Sequence, residues 1–280
     1  MYKKFFAIIA IIFLVGCSSS YKLQYKGAPG DMHQYKIDTN MDMSMEMMGN
    51  EMNFTTQVLN LISQKINQVD NEGNLTVSFM YDSLSFSSNS PQMAQAQSMV
   101  DEMFKKVKGT EFKCSISKHG KVLNIAEMDS LIPGQFKQMV NPRQTFTSIS
   151  PFLPLTPVKI GDTWTSDDVI PVENSGLNMK VNTKSNFTLV GTEKSGEKEL
   201  LKITYTNKML IEGEGEQMGM SMTIEGDGEG KGHFLFDKKA GMIFGAESET
   251  EMDLTIAVSG AQNMTMPMTQ FIKAKVSLVK

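Results

Sequence analysis

The run Met41-Asp42-Met43-Ser44-Met45-Glu46-Met47 sets apolar and polar side chains at alternate positions. A period of two suits an extended strand whose two faces differ, whereas a helix would scatter the same methionines around its circumference. The same alternation, with Thr, Val, Ile and Phe, recurs over 32–48, 51–69, 74–87, 110–117 and 121–127. It continues over 163–170, 178–191, 199–215, 218–236, 242–258 and 264–279. Short turn signals stand between these runs: Asp70-Asn71-Glu72-Gly73, Lys118-His119-Gly120, Lys194-Ser195-Gly196-Glu197 and Asp237-Lys238-Lys239-Ala240-Gly241. Strands joined by loops this short pair antiparallel. The expected fold is therefore mainly β with an α+β admixture. It is a long, antiparallel, strongly curved sheet, either continuous or split into two duplicated lobes, with a few helices packed on one face.

Two segments break the alternation. Ser90-Pro91 reads as a cap with proline at the first helical position, and Met93, Ala96, Val100, Met103, Phe104 and Val107 follow at helical spacing. This predicts a helix over 91–107. The stretch 130–149, interrupted by Pro133-Gly134 and Pro142, reads as two short helices. Residues 151–160 then carry Pro151, Pro154 and Pro157, a stiff connector and the best boundary in the chain. The expected organisation is a leader over 1–16, a tether over 17–30, a β lobe with helices over 31–150, the connector over 151–160 and a second β lobe over 161–280. Two echoes link the halves: Gly30-Asp31 with Gly161-Asp162 ahead of a strand, and the Ser117–Lys121 turn with the Asp237–Gly241 turn.

Charge narrows the function classes. With 27 Lys and Arg against 31 Asp and Glu the chain is mildly acidic, which argues against a nucleic-acid partner, since displacing phosphate counterions requires a basic surface. At the start, Lys3 and Lys4 precede the apolar run Phe5–Gly16, which is too short for an ordinary spanning helix but suits a signal leader. Leu14-Val15-Gly16-Cys17 resembles the bacterial lipobox. That resemblance implies cleavage before Cys17, diacylglycerol on its thiol, and a membrane partner held through two or three acyl chains. Ser18 in place of an acidic residue implies, on the same resemblance, the outer membrane, with the periplasmic face favoured. With Cys17 used, Cys114 is the one thiol left, so no internal disulfide is available; its strand-like setting reads as a small buried apolar group. Together with Pro157-Val158-Lys159-Ile160-Gly161-Asp162-Thr163-Trp164, the lipobox and the long meander are similar to a group of uncharacterised Gram-negative lipoproteins. The architecture also resembles lipoprotein carriers, whose curved sheet holds acyl chains in its hollow.

The candidate site is the set of methionine ladders: Met41, Met43, Met45 and Met47; Met218, Met220 and Met222; Met264, Met266 and Met268. On strands each ladder points to one face. Three uses compete: core filler in place of Leu or Val, an adaptable lining for a lipid or an apolar protein segment, and soft Cu(I) ligation by thioether sulfur. Trp164, the sole Trp, reads either as a core anchor or as a sugar-stacking platform, and is counted with the candidate lining on the second reading. The glycine–acid runs 211–216 and 225–232 predict a hairpin with Glu212, Glu214, Glu216, Glu225, Asp227 and Glu229 on one face and glycines on the other. Phosphate-loop, dinucleotide, zinc-protease and nucleophile-elbow signatures are absent, and His33, His119 and His233 are scattered. The expectation is a non-enzymatic, lipid-anchored protein, without cofactor or bound metal, that takes a hydrophobic ligand or apolar partner segment. The alternatives are a structural component of an envelope assembly and a Met-rich Cu(I) binder.

Overall fold

The structure is a computed structural model, which describes residues 19–47, 49–90, 97–125, 142–174, 177–217, 220–260 and 263–279. Strands β1 (Met32–Met47), β2 (Asn50–Val69), β3 (Leu75–Ser88), β4 (Phe112–Ile116) and β5 (Val122–Ile125) form the first half. The second half holds β6 (Thr163–Asn174), β7 (Leu177–Ser195), β8 (Lys198–Gln217), β9 (Met220–Asp237), β10 (Met242–Ser259) and β11 (Met264–Leu278). The helices described are α1 (Gln97–Val107) and α2 (Pro142–Ile149). The predicted residues 91–96 and the first of the two short helices expected over 130–149 lie outside the described residues.

All eleven strands join one antiparallel sheet in the order β5-β4-β3-β2-β1-β11-β10-β9-β8-β7-β6. Within each half consecutive strands pair, β3 and β4 with α1 between them. β5 and β6 are the two edges, and the halves meet where β1 runs beside β11, with Tyr35 opposite Leu278 and Met45 opposite Met268. Of the two forms expected, the continuous sheet is the one observed. The sequence echoes are also echoes of geometry. Ala28 N–H donates to Asp31 Oδ2 at 2.6 Å and Lys159 N–H to Asp162 Oδ2 at 2.8 Å. Gly30 N–H donates to the Ile66 carbonyl at 2.8 Å, and Gly161 N–H to that of Leu189 at 2.7 Å. Both glycines hold positive φ, 98° and 95°, which a side chain would disfavour.

The register divides the sheet into two faces. Tyr35, Ile37, Ile62, Phe234, Ile203, Leu189 and Val276 share the inner face and are buried at the end where β1 begins. Phe79 and Tyr81 of β3 continue this core, which α2 covers. Phe146 lies 6.0 Å from Phe79 between ring centroids, and Tyr81 Oη shares a 3.0 Å hydrogen bond with Thr145 Oγ1. Val100, Met103 and Val107 of α1 are buried in the same cluster, as the helical spacing requires. Cys114 is buried there too, its thiol pushed up to about 12 by desolvation.

Segment 21–31 closes this end. Leu23 and Tyr25 are buried. Tyr25 N–H donates to the Lys118 carbonyl in the β4–β5 turn, and the next amide, Lys26 N–H, donates to Gly241 in the β9–β10 turn. In a flat sheet β4 and β10 would stand about 24 Å apart, at about 4.8 Å per strand. Adjacent amides cannot reach acceptors so far apart, so the sheet must curl here, with the tether laid across as a clasp.

Candidate ligand-binding face

Followed along the strands away from the clasp, the inner face changes character in steps. Beyond the core comes a row with Thr56, Thr250, Asn207, Ser185 and Ser166, in register across β2, β10, β8, β7 and β6. Asn207 Oδ1 is buried without a hydrogen-bond donor among the described residues. Beyond this row the face is mostly apolar to the rim, with Gln270 opposite Met43 and Thr183 opposite Met209 as its polar members. Met43 stands opposite Phe54, Met45 opposite Met52 and Met268, Met266 opposite Ile256, Met264 opposite Val258, and Val258 opposite Met222. Met252, Leu254, Met209, Ile211, Val181 and Met179 complete the same band.

The three ladders therefore do share one face. Met41, Met43, Met45, Met222, Met264, Met266 and Met268 are half-buried on it, and Met220 is exposed at its rim. Met47 closes β1, but its side chain and all of Met218 lie outside the described residues, as does Cys17. A cavity of about 420 Å³ at the rim is bounded in part by Met220, Val258 and Met264. From the row of Met43 to that of Met264 the band runs about 20 Å along the strands, and about 29 Å across from β2 to β7. From β2 to β7 no inner-face side chain of the band is ionisable among the described residues, and Asp168 stands just outside it on edge strand β6.

Trp164 is not brought to the band. It lies near the clasp end, stacked on Phe187 at 5.5 Å and 9° between ring planes, and its indole N–H donates to the Phe152 carbonyl at 3.3 Å. Of the two roles expected for it, the core anchor is the one its contacts describe, because β6 carries it in the aromatic rows and not in the methionine rows.

Sequence reasoning missed Met52, Phe54, Met179, Met209, Met252 and Leu254. Each lacks the alternating methionine neighbours that mark a ladder. Pairing the strands across their short turns would have placed them, since a hairpin's register follows from its turn.

The glycine–acid hairpin folds as predicted. Glu212 faces Glu225 on the outer surface, while Gly213, Gly226 and Gly228 fall on the inner face. The glycines make room for the methionines beside them. A Cβ on Gly228 would sit 2.7 Å from Met252 Cγ and 3.2 Å from Met209 Cε, and one on Gly213 would sit 2.6 Å from Met179 Cγ. The outer face is polar and internally paired: Lys275 Nζ lies 2.7 Å from Glu247 Oε1, and Lys231 and Lys273 flank Glu249 at 3.5 and 3.7 Å. Among the described residues, no three His, Cys, Asp or Glu side chains gather as metal ligands would.

A model for a family of unknown function (DUF6263) matches residues 134–243. No curated protein matches the chain. Among solved structures, OccK8 (OprE) of Pseudomonas aeruginosa is 8% identical at a TM-score of 0.23, covering 90% of this chain and 100% of that one. OccK2 (OpdF) of the same organism, in complex with glucuronate, is 6% identical at 0.23, covering 89% and 99%. A triple mutant of the Rhodopseudomonas blastica porin is 8% identical at 0.20, covering 87% and 99%. At such TM-scores the likeness bears on neither fold nor function.

Proposed function

We propose that this chain is a non-enzymatic lipoprotein, acylated at Cys17 and held at the outer membrane, that binds an acyl chain or similarly apolar ligand along its methionine band. One observation carries the ligand reading. Apolar side chains from seven neighbouring strands, β2, β1, β11, β10, β9, β8 and β7, share a face interrupted only by Gln270 and Thr183. Its methionines stay half-exposed, although Ile211 and Ile224 are buried, while the aromatic end of the same face is buried. Exposed apolar surface on this scale marks an interaction site on a soluble domain. Unbranched, polarizable thioethers suit a ligand of variable shape. The row beneath the band adds the hydroxyls of Thr56 and Thr250, which would meet the polar group of a ligand.

The test is extraction of the protein from cells, mass analysis of co-purifying lipid, and titration of the delipidated protein with an apolar fluorescent dye. A saturable site is expected, with affinity reduced at least about tenfold by Met45→Glu or Met266→Glu, which place a charge in the band. Absence of both lipid and saturable dye binding overturns the reading. Membrane fractionation of Cys17→Ala tests the anchor separately.

A second reading has its own observation. Met52, Met45 and Met268 stand side by side on adjacent strands, so their flexible thioethers can converge on one soft ion such as Cu(I). Competition for Cu(I) against a chelator, before and after changing all three to Leu, decides it.

A further inference from the structure

The clasp end combines three features that the ligand face does not use. The first is exposed apolar surface: Leu155 and Ile160 are 71% and 53% exposed on either side of buried Val158, whose backbone pairs with Tyr21 at 2.7 and 3.0 Å. The connector and the tether thus lie side by side. The second is a collar of lysines from four separate segments: Lys22 and Lys26 on the tether, Lys121 beside the β4–β5 turn, Lys159 on the connector, and Lys238 and Lys239 in the β9–β10 turn. All six are exposed, and none forms an ion pair among the described residues. Lys238 Nζ lies 5.1 Å from the Tyr21 ring centroid, which holds two of these segments together.

The third feature is the fate of the local carboxylates. Asp31 and Asp162 accept the amides of Ala28 and Lys159, while Asp237 accepts those of Lys239 and Ala240 and pairs with Lys198 at 3.1 Å. Bound in the turns, these three carboxylates form no ion pair with the six collar lysines, while exposed Glu72, Glu197 and Glu199 stand at the neighbouring β2–β3 and β7–β8 turns. On the outer face of the sheet, by contrast, Lys231, Lys273 and Lys275 are matched by Glu247 and Glu249.

We infer that the clasp end docks on the surface of an anionic phospholipid membrane, with Leu155 and Ile160 entering the interface and the lysine collar on the lipid phosphates. Apolar side chains ringed by unpaired lysines satisfy both requirements of an interfacial contact, burial of apolar area and attraction to anionic headgroups. The inference deepens the anchored-lipoprotein reading and rests on it for the anchor. Tyr21 is four residues from Cys17, so acyl chains on that thiol lie within about 14 Å of this end. The orientation of the site follows. β1 runs 16 residues from Met32 beside the clasp to Met47 at the rim, about 50 Å, so the methionine band opens away from the membrane that holds the protein.

The test places a thiol-reactive, environment-sensitive dye at Ile160→Cys or, for comparison, at Ser221→Cys on the rim. The full chain is purified from membranes and reconstituted in phosphatidylethanolamine–phosphatidylglycerol vesicles. Quenching by spin-labelled lipid is expected to remove most of the emission at position 160 and little at position 221. Lys238→Glu with Lys239→Glu is expected to reduce quenching at 160 and, for unacylated chain, to weaken vesicle partitioning at least about tenfold. Lys180→Glu with Lys208→Glu, the same charge change towards the rim, should leave both within about twofold. Equal quenching at 160 and 221, or an equal response to the two lysine pairs, overturns the inference. The mass of the Cys17 peptide separates the two readings: an unacylated chain that still docks at position 160 defeats only the anchor, and an acylated chain with position 160 in water defeats only the docking.

Discussion

The two ends of β1 obey the same alternation and meet different fates. Near the clasp, Tyr35 and Ile37 are buried; near the rim, Met43 and Met45 point from the same face and remain half-exposed. The strand is continuous and the register unbroken between them. What differs is the cover: α1, α2, the connector and the tether converge on the first end, and among the described residues none of them reaches the second. An apolar inner face is thus necessary for a core but not sufficient, and the uncovered half is where a ligand has room.

The sharpest way to break this contrast is to truncate one side chain at each end. Phe234→Ala, in the buried cluster, is expected to lower the unfolding free energy by about 3–5 kcal/mol in a urea titration. Met266→Ala on the half-exposed band should cost about 1 kcal/mol or less. Equal losses would mean that the band is packed as tightly as the core.

Adding a methyl group on the boundary between glycines and methionines comes next. Gly228→Ala would bring a Cβ within 2.8 Å of the Glu251 carbonyl oxygen and 2.7 Å of Met252 Cγ. A cost of about 1–3 kcal/mol is expected, since the backbone oxygen cannot swing aside. No loss would show that the strands spread freely here.

A smaller effect belongs to the β9–β10 turn at the clasp. Burial pushes the Asp237 carboxyl up, but the Ala240 amide, the Lys198 ammonium and the Lys239 amide together hold it below its ordinary value. A carboxyl lowered in the folded state contributes stability above its unfolded pKa, and that contribution is lost as pH falls through the folded value. Asp237→Asn should therefore cost about 1–2 kcal/mol at neutral pH and flatten the acid limb of the stability profile. An unchanged acid limb would remove this turn from the account. The least effect is expected on the outer face, where Lys275→Ala breaks an exposed ion pair and should leave the urea midpoint unchanged within the error of the titration.

Much of the fold was legible because alternation and turn chemistry are local. The eleven strand runs were all readable, and so were the apolar face of α1 and the outward acids of the β8–β9 hairpin. The candidate site was legible only in its densest parts. Met41, Met43 and Met45 announce themselves by spacing, but Met52, Met209 and Met252 lack alternating methionine neighbours and join the band through cross-strand register. Trp164 belonged to the core because β6 places it among aromatics, two rows from Met209 and Met252.

By itself the sequence determined which side chains face together, since the two-residue period of an extended backbone is fixed by covalent geometry. It also determined which strands are hairpin neighbours, because a short turn admits no other pairing. Only the tertiary structure decided that β1 pairs with β11 and that the sheet curls beneath the clasp, leaving one half of its inner face covered and the other open. Those outcomes depend on contacts between residues more than a hundred positions apart, such as Tyr21 with Val158 and Lys26 with Gly241. No local pattern encodes such contacts, because their free energy appears only once the intervening chain has folded.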